Sequence, residues 1–322
     1  MSAQTPSLAA SPPQPSTPRS SPSPPEALLR RIDWEVVGRL AGRLQGNYRS
    51  GALGDGLDVA DLRSYEVDDD VRRIDWNVTA RMTEPYVRQY DEDREVTAWF
   101  VIDRSGSMQF GHNDRTKELV AAEIVAALAR IFTLGGNRIG AVLWNNGATQ
   151  VIEPRSDRTH LLHLVSKLLS DPAEPNLAGQ SEQSPADGLE DLLLAGAAAA
   201  RRSAMVFVVS DFLAAPGWET AMRRLSARHD VVAIRIVDSQ ERELPDAGFV
   251  VVQDAETGEQ MTINTSDQRF RERFAEASRQ REAQLRQATI RSGVELFPIS
   301  TDADLVTALV SMAAQRKGRV RR

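Results

Sequence analysis

Thr97-Ala98-Trp99-Phe100-Val101-Ile102-Asp103-Arg104-Ser105-Gly106-Ser107-Met108 is the stretch on which the reading of this chain turns. An apolar run stops abruptly at Asp103, and hydroxyls follow at Ser105 and Ser107. Read as a buried strand entering a tight polar loop, the segment sets a carboxylate and two alcohols at the carboxyl end of a sheet strand, where open α/β sheets hold ligands. These are hard oxygen donors. A small hard cation such as Mg²⁺ takes about six oxygens in octahedral array and keeps waters among them, so a carboxylate with hydroxyls suits it, and Mn²⁺ is an alternative ion.

Downstream of this strand, strands and helices alternate. The pattern predicts a strand over 96–102, a helix over 115–134, paired strands over 138–144 and 148–153 around Asn145-Asn146-Gly147, and a helix over 157–169. The Asn-Gly step is a hairpin signal. A loop rich in Pro, Asn, Gly and Ser over 171–186 precedes a helix at 187–202, a strand at 204–210, a helix at 217–228 and a strand at 231–237. A hairpin over 248–264 about Glu256-Thr257-Gly258, a helix over 267–291, a strand over 294–299 and a helix from 302, capped by Thr301 or Asp302, complete the series. Alternation of this kind implies an α/β fold, a doubly wound and mainly parallel sheet covered on both faces.

The rest of the 322-residue chain reads differently. Residues 1–25 hold eight of the sixteen prolines and seven serines, a composition that predicts a disordered arm. Over 26–45 apolar residues recur at Leu29, Ile32, Val36, Leu40 and Leu44, one stripe of a helix. Residues 49–96 are dense in charge and without clean periodicity; a glycine-rich loop, short strands and a turn are expected there, forming an extra β layer. The domain division is therefore a 1–25 arm, a 26–94 segment with the helix and an Arg/Asp-rich stretch, a 95–315 α/β domain, and a basic tail at 316–322 expected to be solvated and frayed.

Composition excludes several function classes. A formal net charge of −6 and a pI near 5.4 argue against a general nucleic-acid binder. The absence of cysteine removes disulfides, thiolate metal sites and cysteine nucleophiles, and suits a reducing cytoplasm. No run approaches the ~20 apolar residues of a membrane span, so a cytoplasmic protein with no membrane span is expected. The Gly-rich phosphate loop ending in Lys-Ser/Thr is absent, so ATP hydrolysis by this chain is not expected. His160 and His163 share a predicted helix face with no acidic residue to complete a metal set, and are read as helix-surface residues.

A second apolar run, Met205-Val206-Phe207-Val208-Val209-Ser210, closes on Asp211. If the two strands are near neighbours, Asp211 emerges on the same sheet edge as Asp103 and the two carboxylates converge. Taken alone, Asp211 reads as an ordinary helix cap or loop acid; the joint pattern with Asp103 turns the reading toward a site.

With Asp103, Ser105 and Ser107 in Asp-x-Ser-x-Ser spacing, the chain resembles von Willebrand factor A domains and their metal-ion-dependent adhesion site. That resemblance implies a threonine from a second loop and an aspartate from a third; Asp211 fits the third. The second falls in Gln183-Ser184-Pro185-Ala186-Asp187, which contains no threonine; Ser184 by a register shift, or Asp187 directly or through water, are the candidates. Upstream, Gly54-x-Gly56-Leu57-Asp58, Asp61-x-Arg63-x-Tyr65, Asp69-Asp70-Val71-Arg72-Arg73-Ile74-Asp75-Trp76, Ala80-Arg81 and Tyr86-Val87-Arg88 resemble a bacterial family catalogued as a domain of unknown function that joins such a segment to a von Willebrand factor A-like domain. The resemblance covers about 30–240, with Asp68 standing where a glycine usually precedes the paired aspartates. It implies a MoxR-type AAA+ ATPase as partner and an unidentified client protein.

For Arg63, Asp69, Asp70, Arg72, Arg73, Asp75, Trp76, Arg81 and Arg88 two readings stand: a salt-bridge network holding the extra layer to the sheet with Trp76 packed beneath it, or a docking surface for the ATPase. Three functions follow. The first is a binding module whose Mg²⁺ accepts a partner carboxylate. The second is a structural scaffold with a non-functional metal site. The third is a metal-dependent phosphohydrolase, disfavoured because aspartyl phosphotransferases carry a second Asp where this chain has Ser105.

Overall fold

An apolar run as continuous as 98–102 is stable in a sheet only if both faces are covered, and that is where it lies. The computed structural model describes residues 53–320 except 67–68, 83, 92–95, 113–114, 146, 171–187, 243 and 254–259. The elements are β1 (Leu53–Ser64), α1 (Trp76–Thr79), β2 (Tyr86–Asp91), β3 (Thr97–Asp103), β4 (Gly111–His112), β5 (Arg115–Thr116), α2 (Lys117–Leu134), β6 (Arg138–Asn145), β7 (Ala148–Arg155), α3 (Arg158–Leu169), α4 (Gly188–Ala199), β8 (Met205–Ser210), α5 (Glu219–Ser226), β9 (Asp230–Val237), β10 (Phe249–Gln253), β11 (Gln260–Asn264), α6 (Gln268–Arg291), β12 (Glu295–Ser300) and α7 (Leu305–Val320).

Six strands form the central sheet in the order β12-β9-β8-β3-β6-β7. Ranked by chain position and read from the β7 edge, this is 3-2-1-4-5-6, the doubly wound order, and every neighbouring pair is parallel except β6 with β7. The architecture is the expected doubly wound, mainly parallel α/β fold. The β6–β7 turn follows the Asn-Gly reading, with Asn145 opposite Ala148 and Gly147 at φ 90°.

Side-chain alternation along β3 divides the core. Ala98, Phe100 and Ile102 join one cluster with α2, α3 and α7, while Trp99 and Val101 join the other with α4, α5 and α6. Phe100 and Phe207 stack at 5.3 Å between neighbouring strands and are fully buried; each such side chain contributes about 1.5–3 kcal/mol by burial. The alanine-rich α4 approaches closely: a Cβ on Gly196 would stand 2.8 Å from Val101, and one on Gly188 would stand 2.2 Å from the Trp144 ring.

Several expectations need correction. The glycine-rich stretch expected as a loop runs as β1 through Gly54 and Gly56, because β2 pairs with it antiparallel, with register shifts that absorb the irregularity. Trp76 is 68% exposed rather than packed beneath a network, because it opens the one-turn helix α1 that Asp75 caps, and the buried residue there is Asp75 itself. His160 is not a surface residue: its ring lies against β6, with Nε2 2.9 Å from the Ile139 carbonyl. The basic tail is helical to Val320, and Arg316 is buried and pairs with Asp230 at 2.6 Å. The last helix starts at Leu305 because Thr301 and Asp302 are engaged by Asp238 and Ser239, leaving Asp304 to accept from the Thr307 N–H. The arm, the 26–45 helix, the 256–258 turn and Asp68 lie outside the described residues.

Candidate metal centre

β3 and β8 are neighbours, so Asp103 and Asp211 leave the sheet side by side at its topological switch point, where the crossovers diverge to opposite sides. Both are buried. Asp103 Oδ1 accepts the Ser105 N–H at 2.9 Å, folding the loop back on the carboxylate, and Oδ2 accepts from Ser210 Oγ at 2.7 Å. Ser105 Oγ and Ser107 Oγ stand 3.1 Å apart beside it. Burial and then the Asp211 charge push the Asp103 carboxyl up to about 6, against the downward pull of the Ser210 and Ser105 hydrogen bonds. A 3-10 turn over Gly106–Gln109 follows, anchored by the fully buried Met108.

Arg104, the residue between Asp103 and Ser105, faces away from the donors. It donates to Glu118 in the first turn of α2 and to the Lys167 and Ser170 carbonyls at the end of α3, satisfying helix-end acceptors while fixing the loop.

Asp211 is held from several sides. Its Oδ1 accepts the Leu213 N–H at 3.0 Å, its carbonyl accepts from Arg235 Nε at 3.1 Å, and its Oδ2 meets Lys117 Nζ at 2.6 Å. Phe212 follows at φ 56°, a left-handed conformation uncommon outside glycine, packed edge-on against Trp218. Lys117 is completely buried and also meets Glu241 Oε1 at 2.5 Å. Burial alone would push its ammonium down, but the Asp211 and Glu241 carboxylates outweigh it and hold it above its ordinary value. Glu241 is positioned by the capping box it forms with Asp238 after β9.

Of the residues read from sequence, Asp103, Ser105, Ser107 and Asp211 share this edge; Ser184 and Asp187 lie outside the described residues. Lys117, Ser210, Glu241 and Arg104 were not anticipated. The one local signal was a lysine opening a helix, the end where the dipole disfavours a cation. Away from the edge, Asp69 accepts the Glu66 N–H, Asp70 the Arg72 N–H, and Asp75 the Asn77 and Val78 N–H groups, so these acids shape turns. Arg72 and Arg81 are exposed, and the side chains of Arg63, Arg73 and Arg88 lie outside the described set.

The donor chemistry fits a hard cation at Asp103, Ser105 and Ser107, and the mutual repulsion of Asp103 and Asp211 is the feature a cation would relieve. Among the described residues no group of three or more His, Asp or Glu is arranged to hold a metal, so hydroxyls and water would have to supply most of the shell. Among those residues, too, no helix is long and apolar enough to cross a membrane.

An uncharacterized protein of Mycobacterium tuberculosis, Rv1480, is 35% identical over 294 residues, covering 90% of this chain and 89% of the relative. The Mycobacterium bovis protein Mb1516 matches with the same identity and coverage. Among solved structures, BatB from Bacteroides thetaiotaomicron is similar at TM-score 0.42 and 11% identity, covering 70% of this chain and 100% of that one. The VWA domain of SpRpn10 is similar at TM-score 0.37 and 16% identity, covering 68% and 95%. The family model described as "Protein of unknown function DUF58" matches residues 61–284, and the chain belongs to that family.

Proposed function

We propose that this protein is a non-enzymatic protein-interaction module in which Asp103, Ser105 and Ser107, with Asp211 behind them and Ser184 or Asp187 from the second loop, hold Mg²⁺. The observation that carries the reading is the pairing of Asp103 with Asp211, buried and mutually repelling at the switch point with two hydroxyls alongside. A divalent ion bound by few charged ligands stays electrophilic and adds a directional bond to an incoming Glu or Asp of a partner. Asp103 orients the serine loop, and Ser210 and Arg104 hold that loop in place. The resemblance noted from sequence supports a MoxR-type AAA+ ATPase as the partner, acting with this chain on a client protein in the cytoplasm.

Mg²⁺ or Mn²⁺ at millimolar concentration should raise the melting temperature, and Asp103→Ala should abolish the rise. A melting curve indifferent to either ion would overturn the metal reading. Co-purification with a MoxR-type ATPase, lost on chelation, would support carboxylate capture.

A second reading, a structural scaffold with a non-functional metal site, is favoured by the Lys117 ammonium already seated on Asp211. It predicts ATPase binding that chelator leaves intact. Phosphohydrolase activity is the third reading, and only steady turnover lost in Asp103→Ala would support it.

A further inference from the structure

Lys117 is completely buried at the first position of α2, immediately after the Thr116 cap. A cation there opposes the helix dipole and has left water, so helix stability does not account for it. It is held by Asp211 Oδ2 at 2.6 Å and Glu241 Oε1 at 2.5 Å, with the Phe110 ring 5.9 Å away. The other Asp211 oxygen accepts the Leu213 N–H, so both oxygens are engaged without a metal. Glu241 is aimed by its capping box with Asp238. Three connections, the end of β8, the start of α2 and the turn after β9, thus meet on one ammonium.

We propose that the Lys117 ammonium is a resident counter-ion that withholds Asp211 from a metal at the Asp103 loop and thereby weakens divalent-cation binding there. The proposal rests on the metal reading above. The Lys117 charge neutralises Asp211 at contact distance and repels any cation bound beside Asp103. With the ammonium in place, Asp211 is neutralised, and Asp103, whose oxygens meet the Ser105 N–H and the Ser210 hydroxyl, is the carboxylate left to the ion beside Ser105 and Ser107. With it removed, Asp211 is released to join Asp103, and like-charge repulsion ends.

Mn²⁺ binding by isothermal titration would be measured on the full chain as wild type, Lys117→Met and the double variant Lys117→Met/Glu241→Gln, each with and without Asp103→Ala. The double variant keeps the net charge of the site at its wild-type value, so a gain there reports release of Asp211 rather than added negative charge. It also avoids leaving the partly buried Glu241 carboxylate without its cation, which guards against misfolding of the single variant. Removal of a like charge seated on the neighbouring Asp211 should tighten Mn²⁺ binding by about tenfold or more in both Lys117 variants, with the binding lost on Asp103→Ala.

Equal or weaker binding in the folded double variant, while wild type binds Mn²⁺ through Asp103, would overturn the counter-ion role and leave the metal reading standing. Binding in the Lys117 variants alone, dependent on Asp103, would support the counter-ion role in its strongest form, a site closed by its own lysine. No Asp103-dependent binding in any variant would overturn both.

Discussion

Ser210 Oγ donates to Asp103 Oδ2 at 2.7 Å and accepts the Phe212 N–H at 2.9 Å, so one buried hydroxyl ties the end of β3 to the turn that carries Asp211. Ser210→Ala removes both bonds at once and leaves a carboxylate oxygen and an amide buried without those partners. Each such loss costs about 1–3 kcal/mol. Urea denaturation should therefore show a loss of about 2 kcal/mol or more, and a midpoint unchanged from wild type would mean the bridge contributes nothing.

His229, in the turn between α5 and β9, gives a pH prediction away from the metal edge. Burial pushes its imidazole below 6.5, and the neighbouring Arg228 adds to the effect. A base with a depressed folded pKa binds fewer protons folded than unfolded, so its contribution is present above the unfolded value and is lost as pH falls through the window below it. Wild type should lose more melting temperature than His229→Gln between about pH 7.5 and 5.5. Parallel pH profiles for the two proteins would refute the assignment.

The parts of this molecule legible in its sequence are those with local causes. β3 and β8 announce themselves because an apolar run and its terminating acid lie within a few residues, and alternation of strand with helix then forces the two acids to one edge. The Lys117 contacts carry no such signal: Asp211 and Glu241 lie 94 and 124 residues away, and only the completed sheet brings them together. Trp76 departs from expectation for a related reason. An aromatic among charges reads as buried, yet the Asp75 cap sets the helix so that the carboxylate is covered and the indole is not. His160 departs in the opposite direction: helical spacing pairs it with His163, but the packing boundary runs between them, leaving His163 exposed while the His160 ring lies on the Ile139 carbonyl.

Phe212 inverts a familiar order of substitution. Its ring packs on Trp218 at 5.6 Å, so both Phe212→Ala and Phe212→Gly should destabilise, by about 3–5 kcal/mol for the alanine. Glycine is ordinarily the worse replacement. At φ 56° a Cβ is strained, and glycine should be the better one by about 1 kcal/mol. Thermal melts of the two variants decide this, and alanine melting higher than glycine would contradict the left-handed turn after Asp211.

Arg104 tests whether the loop's position, and not only its donors, matters. Its guanidinium spans three acceptors: Glu118 Oε1 at 2.6 Å, the Lys167 carbonyl at 3.2 Å and the Ser170 carbonyl at 2.7 Å. Lysine conserves the charge but offers one compact ammonium that cannot serve all three, so Arg104→Lys should cost about 1–2 kcal/mol. Glu118→Gln separates the causes. If the carbonyl contacts dominate, Arg104→Lys costs nearly as much in the Glu118→Gln background as in wild type; if the ion pair dominates, most of the cost disappears there. The melting response to Mn²⁺ should fall with the carbonyl contacts, because these join the Asp103 loop to the end of α3 and keep Ser105 and Ser107 together. A fully retained Mn²⁺ response in a destabilised Arg104→Lys protein would place the loop's shape in Asp103 and Ser210 alone.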